Sequence, residues 1–197
     1  MIIDMHMHEM RYSGDSFLRL ENMVEIAKCR GLDGICITDH DSMGLKEFAA
    51  EYSEKTGFPI FVGIEFYSLQ GDIVAFGIED YPKERIPAQE FVDLVQAQGG
   101  MCFSAHPFRN NNRGLEENLK IVKGLDGIEV LNGSTLYEAN RKAAEYAAEL
   151  GLATVGSSDC HVPEKLGIYA TYFPREIRSV QELIRSVKRC ETLPVYY

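Results

Sequence analysis

The chain begins Met1-Ile2-Ile3-Asp4-Met5-His6-Met7-His8-Glu9, a short apolar run that leads into two histidines separated by one residue. The run predicts an extended strand. On a strand, side chains at i and i+2 point to the same side, so His6 and His8 are expected to project together from its C-terminal end. Two neutral imidazoles converging in this way form half of a transition-metal site. The plain alternative is a pair of surface histidines, and the positions of the other three histidines discriminate between the two.

Outward from this stretch, short apolar runs alternate with longer amphipathic ones. Gly34 to Thr38, Pro59 to Phe66, Asp72 to Ile78, Met101 to Ala105, Gly127 to Leu131, Ala153 to Ser157 and Ile168 to Phe173 read as strands. Helical periodicity covers residues 19–30, 43–56, 88–98, 115–123, 136–150 and 179–189. The pattern predicts a single α/β domain over residues 1–197, with about seven βα units on short connections. Periodicity leaves two architectures open, a doubly wound parallel sheet and a barrel.

The polar residues fall at the strand ends. Strand one leads to Asp4, His6 and His8; strand two to Thr38-Asp39-His40-Asp41; the third to Gly63-Ile64-Glu65. Later runs lead to His106-Pro107-Phe108-Arg109, to Glu129 and Asn132, and to Ser158-Asp159-Cys160-His161. All five histidines lie just past a predicted strand's C-terminal end, which is the face where α/β folds place ligands and chemistry. Histidines mixed with Asp and Glu suit Zn, Mn or Fe, and a carboxylate can bridge two ions. Such ions acidify bound water and support hydrolysis. Cys160 alternates with Asp159 and His161 and is expected to point away from them.

Composition narrows the function. Hydrophobic residues make up 45% and charged residues 25%, an ordinary soluble balance. The formal net charge of −10 makes extended nucleic acid a poor expected partner. Five cysteines without a C-x-x-C pair predict reduced thiols. No charged-then-apolar leader pattern and no apolar run near ~20 residues occurs, so a cytoplasmic location and no membrane contact are expected.

The ordered set Asp4-x-His6-x-His8, Thr38-Asp39-His40-Asp41, Gly63-Ile64-Glu65, Ala105-His106-Pro107-Phe108-Arg109 and Gly156-Ser157-Ser158-Asp159-Cys160-His161 resembles the PHP (polymerase and histidinol phosphatase) family over nearly the whole chain. The resemblance implies a distorted (β/α)7 barrel, TIM-barrel-like, with a two- or three-metal centre at the strand C-termini. It implies hydrolysis of phosphate esters by a hydroxide bridging divalent ions of Zn, Mn or Fe. By position, His6 and His8 look like ligands of one metal and Glu65 like a bridging carboxylate. His40 and His106 look like ligands of further ions, with Asp159 and His161 closing the site. Asp15 best matches an acidic ligand that relatives carry after the first motif. Relatives often carry another histidine after the Gly-x-Glu motif; this chain has Asp72 there, a possible substitute ligand.

Each candidate has a bland counterpart. Asp41 suits an Asx turn, and Asp39 a carboxylate that orients His40. Glu65 is costly to bury unpaired, so it is either a ligand or half of a salt bridge. Asp4 is expected to support a histidine, and Glu129 equally suits pairing with a lysine. Arg109 reads as a phosphate clamp, Asn132 as a further substrate contact, and Arg113 as a solvated loop residue. Asp39, Asp159 or His161 is expected to shuttle protons. The expected activity is therefore a metal-dependent phosphoesterase that acts on a small anionic phosphorylated metabolite or nucleotide and releases phosphate. The alternatives are a nuclease or phosphodiesterase on short nucleic acid, and a non-catalytic, metal-stabilised regulatory module.

Overall fold

A computed structural model describes residues 1–196. The strands are β1 (Ile2–Asp4), β2 (Gly34–Ile37), β3 (Ile60–Val62), β4 (Ile64–Tyr67), β5 (Asp72–Phe76), β6 (Met101–Ser104), β7 (Gly127–Asn132), β8 (Ala153–Ser157), β9 (Tyr169–Tyr172) and β10 (Leu193–Tyr196). The helices are α1 (Leu20–Cys29), α2 (Lys46–Thr56), α3 (Ala88–Ala97), α4 (Tyr137–Leu150) and α5 (Val180–Lys188).

Among the described residues the strands form two five-stranded sheets, ordered β10-β9-β1-β2-β3 and β4-β5-β6-β7-β8. No closed hydrogen-bonded barrel is detected among the described residues, and antiparallel pairs interrupt the expected succession of parallel βα units. β4, β5 and β6 pair antiparallel, as do β1, β9 and β10. The expected strand Pro59–Phe66 is broken at Gly63, where an added Cβ would meet the Ala75 carbonyl at 2.4 Å and the Phe76 ring at 2.7 Å. The sheets meet instead at two isolated parallel bridges, Met7 with Cys160 and His40 with Glu65. Both bridges lie at the histidine-bearing ends of the strands.

Period-two alternation sorts the side chains. Ile3, Met5 and Cys36 of one sheet face Val74, Phe76, Met101, Phe103 and Val155 of the other, and Leu183 and Val187 of α5 join this central core. The alternate residues Ile35 and Ile37 pack under α1 and α2. Ile73, Ala75 and Cys102 pack under α3 and α4. Strands buried on both faces read as continuous apolar runs, which is why periodicity alone did not reveal their direction.

Two elements differ from expectation. Residues 115–123 form only a short 3-10 turn, Glu116–Lys120, a segment too short to repay the nucleation of an α-helix. β10 went unanticipated. It contains Pro194, which reads as a strand breaker, but β10 is an edge strand, where the missing N–H costs nothing. All five cysteines are free; Cys36, Cys102 and Cys160 are buried. No helix among the described residues is long and apolar enough to cross a membrane.

Candidate metal centre

The five histidines, far apart in sequence, converge where the two sheets meet. Ring centroids run His106–His6 at 5.7 Å, His6–His8 at 5.0 Å, His8–His40 at 4.3 Å and His8–His161 at 4.2 Å. The i, i+2 geometry holds: Nε2 of His6 lies 3.1 Å from Nε2 of His8. Both approach Asp159 Oδ1, at 3.7 and 3.2 Å. Glu65 sits at the centre. Its Oε1 is 2.8 Å from His106 Nε2 and 3.3 Å from His6 Nε2, and its Oε2 is 2.7 Å from His40 Nδ1. Asp15, from the loop after β1, places Oδ2 3.3 Å from Nε2 of both His40 and His161.

The local backbone is strained to achieve this. Asp41, His106 and Asp159 adopt positive φ of 49°, 28° and 49°. Such conformations in non-glycine residues are uncommon and concentrate at functional sites.

Four overlapping sets of side chains present ligand atoms within 4.8 Å of one another: His8, His40 and His161; His6, His106 and Asp159; His6, His8 and Glu65; Glu65, Asp72 and His106. The donor set fits divalent cations on three further grounds. Glu65, Glu129 and Asp159 are all buried, and carboxylates taken out of water require compensating positive charge. Nδ1 of His40 is also buried and, beyond its 2.7 Å approach to Glu65 Oε2, has no hydrogen-bond partner. Two nitrogens bound tetrahedrally to one Zn at ~2.0–2.1 Å stand ~3.3 Å apart, close to the 3.1 Å between His6 and His8.

The electrostatics follow from crowding. Burial works to lower the pKa of His6, but Asp159, Glu129 and Glu65 outweigh it and hold it well above the usual value. Burial dominates at His8 and lowers its pKa to about 4, against the opposing effect of a hydrogen bond that Asp159 accepts from the ring. At His40, burial is overcome by Glu65 and Asp15, which raise the pKa to about 9. Burial pushes the Glu65 and Asp159 carboxyls up, yet the surrounding imidazoles, His6 foremost, hold both well below the usual range.

Behind the imidazoles stand groups that orient them. Glu129 accepts from His6 Nδ1 at 3.1 Å, from the His106 amide at 2.7 Å and from Asn132 Nδ2 at 2.9 Å. It contacts no lysine. His8 Nδ1 lies 3.2 Å from Ser13 Oγ, which donates to Asp39 Oδ1 at 2.8 Å. The Ser13 link was missed from sequence; its spacing from His8 carries no strand or helix periodicity. Asp4 supports no histidine ring. Its Oδ1 accepts from the Ser158 amide at 2.9 Å and its Oδ2 from the Gly167 amide at 3.1 Å. Burial raises the Asp4 pKa to about 7.

Arg109 donates to Asn132 Oδ1 at 2.7 Å, to Thr135 Oγ1 at 3.1 Å and to Asp159 Oδ2. It borders a small cleft of about 130 Å³ lined also by Asp15, His40, Glu65, His106, Asp159 and His161. Asn132 is fully buried behind Arg109 and does not line this cleft, which corrects its expected place as a substrate contact. Arg113 is likewise no solvated loop residue: it borders the cleft and grips Asp72 through two hydrogen bonds.

The fold and site thus define a mixed α/β protein with a candidate polynuclear centre of imidazoles and carboxylates. A family model described as PHP-associated matches residues 137–192, and the resemblance to the PHP family read from the motifs holds. An uncharacterised protein, MJ1587, of Methanocaldococcus jannaschii is 28% identical over 140 residues, 66% of this chain and 80% of that protein. A Bifidobacterium adolescentis protein described as a metal-dependent phosphoesterase superposes with TM-score 0.63 at 21% identity, covering 84% of this chain and 90% of its own. The lesion-specific endonuclease EndoQ of Pyrococcus furiosus superposes with TM-score 0.73 at 17% identity, covering 95% of this chain and 56% of its own. At these identities the two structures establish a shared fold. With an endonuclease among them, the expectation that extended nucleic acid is a poor partner finds no support in the comparisons.

Proposed function

We propose that this chain is a metal-dependent phosphoesterase acting on a small phosphorylated substrate. The observation that carries the reading is the convergence of all five histidines with Glu65 and Asp159, with His40, His106 and His161 lining a cleft that Arg109 borders and His6 and His8 buried directly behind it. His6, His8, Asp15, His40, Glu65, His106, Asp159 and His161 are the residues that would hold two or three divalent ions of Zn, Mn or Fe. Such ions, when bound, acidify a water and stabilise the charge that develops on phosphoryl oxygens.

The chain's own residues supply the rest. Arg109, anchored on Asn132 and Thr135, presents a preoriented guanidinium to an anion in the cleft. Glu129 fixes the His6 tautomer by accepting at Nδ1, which leaves Nε2 turned toward Asp159 and Glu65. The ring of His161 is partly exposed and lines the cleft beside Arg109.

The test is turnover of p-nitrophenyl phosphate and bis(p-nitrophenyl) phosphate by protein loaded with Mn or Zn. Hydrolysis abolished by His6→Ala is the expected result. Intact ion binding without turnover of either ester, with any divalent ion, would defeat the reading. The endonuclease likeness motivates a nuclease arm. Against an oligonucleotide, steep loss of activity with salt would favour a polymer substrate; salt-insensitive turnover of a mononucleotide favours the small-substrate reading.

A further inference from the structure

Asp72 and Asp159 are both buried carboxylates beside the histidines, and each is paired with an arginine, but in different ways. Arg109 touches only Oδ2 of Asp159, and Oδ1 is left turned toward His8 at 3.2 Å and His6 at 3.7 Å. At Asp72 both oxygens are taken: Arg113 Nε donates to Oδ2 at 2.6 Å and Nη2 to Oδ1 at 2.9 Å. A carboxylate gripped on both oxygens has little left to offer a metal ion, and guanidinium keeps its charge at every relevant pH.

The Arg113 side chain is held in place from several directions. The Asp72 amide donates to the Arg113 carbonyl at 2.7 Å. The two segments touch through glycines: Gly71 has φ +151°, and a Cβ there would meet Gly114 backbone carbon at 2.6 Å. The Arg113 guanidinium lies over the Tyr67 ring at 4.3 Å, and Arg85 lies over the same ring at 3.6 Å. Arg85 is tied in turn to the Ser68 carbonyl at 2.8 Å. Meanwhile His106 Nε2 is committed to Glu65 at 2.8 Å and stands 3.7 Å from Asp72.

We infer that Arg113 fills the cation position beside Asp72, so that the Glu65–Asp72–His106 corner takes no metal ion of its own. The inference rests on the metal-centre reading above. It assigns Asp72 as the seat of a built-in organic cation and not as a substitute ligand. It also makes Arg113 a fixed positive wall of the cleft.

The experiment is metal content per chain by inductively coupled plasma mass spectrometry. Wild type, Asp72→Asn, Arg113→Ala and the double variant are saturated with Mn and desalted, with a circular-dichroism melt on each to verify folding. Wild type and Asp72→Asn should hold the same number of ions. Arg113→Ala should gain about one ion per chain, and the double variant should return to the wild-type count. Loss of one ion in Asp72→Asn, or no gain in Arg113→Ala, overturns the inference while leaving the metal centre standing. The Asp72→Asn arm decides the matter even if Arg113→Ala fails to fold. A wild type that retains no ion overturns the centre itself and this inference with it.

Discussion

Nε2 of His8 and Oδ1 of Asp159 lie 3.2 Å apart, although the two residues are far apart in the chain and follow strands of different sheets, β1 and β8. The Met7–Cys160 bridge brings them together, reinforced by the hydrogen bond from the Asp159 amide to the His6 carbonyl at 2.9 Å. Asp159→Asn keeps the shape and removes the charge. It is expected to lose at least one bound ion and to lower kcat/KM by roughly 10³-fold or more, about 4 kcal/mol of lost stabilisation. Metal analysis and steady-state kinetics check both. Unchanged metal content would contradict the placement of Asp159 in the centre.

Ion-free protein should become less stable as pH rises from 6.5 to 9. The His40 pKa is raised from 6.5 to about 9 in the folded chain, so its stabilising contribution is complete below pH 6.5 and is lost as pH climbs through 9. His6 is raised as well and acts in the same sense. His8, lowered to about 4, is neutral in the folded chain and adds only a small opposing slope near pH 6.5, where its unfolded form finishes titrating. Glu65 and Asp159, held low, are ionised throughout that window. Melting temperatures in chelator across this range are the measurement, and a flat or rising profile would count against the imidazole–carboxylate assignment.

Added Mn or Zn should reverse that trend. Ions that bind only the folded chain stabilise it by about 4 kcal/mol at a thousandfold excess over Kd. They must also displace protons from His6 and His40, so affinity should rise with pH. Calorimetric titration in two buffers of different ionisation enthalpy reads the proton release directly.

Ser13→Ala removes the hydroxyl between His8 Nδ1 and Asp39. Groups that orient a metal-binding imidazole from behind are worth roughly 10- to 100-fold in metal affinity, and a loss of that size is expected by calorimetry. An unaltered affinity would show that the relay plays no part in seating an ion.

Arg109→Lys retains the charge but not the fork that spans Asn132, Thr135 and Asp159. Hydrogen bonds to charged groups are worth about 1.5–3 kcal/mol, so kcat/KM should fall roughly 10- to 100-fold with metal content unchanged. A lysine variant with wild-type kinetics would remove Arg109 from substrate recognition.

Much of the centre was legible in the linear chain because its ligands sit at strand ends, where period-two geometry makes direction predictable. His6 and His8 share a side, and Cys160 turns into the core between Asp159 and His161. Arg113 was misjudged because nothing local marks it. It lies in the loop after β6, and its partner Asp72 is separated from it by 41 residues. Asn132 was misplaced for the converse reason: a polar residue at a strand end reads as a site residue, yet here it is buried as the connector between Glu129 and Arg109.

The sequence by itself determined most of the order of elements, the buried faces of the helices and the residue types gathered at the strand ends, since each follows from local periodicity and from residue types with few roles. Only the tertiary structure decided that two mixed sheets replace a continuous parallel barrel, that Glu129 and Ser13 orient the imidazoles, and that Arg113 is bound to Asp72. Strand direction and ion pairing depend on contacts between distant segments, and a chain buried on both faces of its strands carries no local pattern that records them.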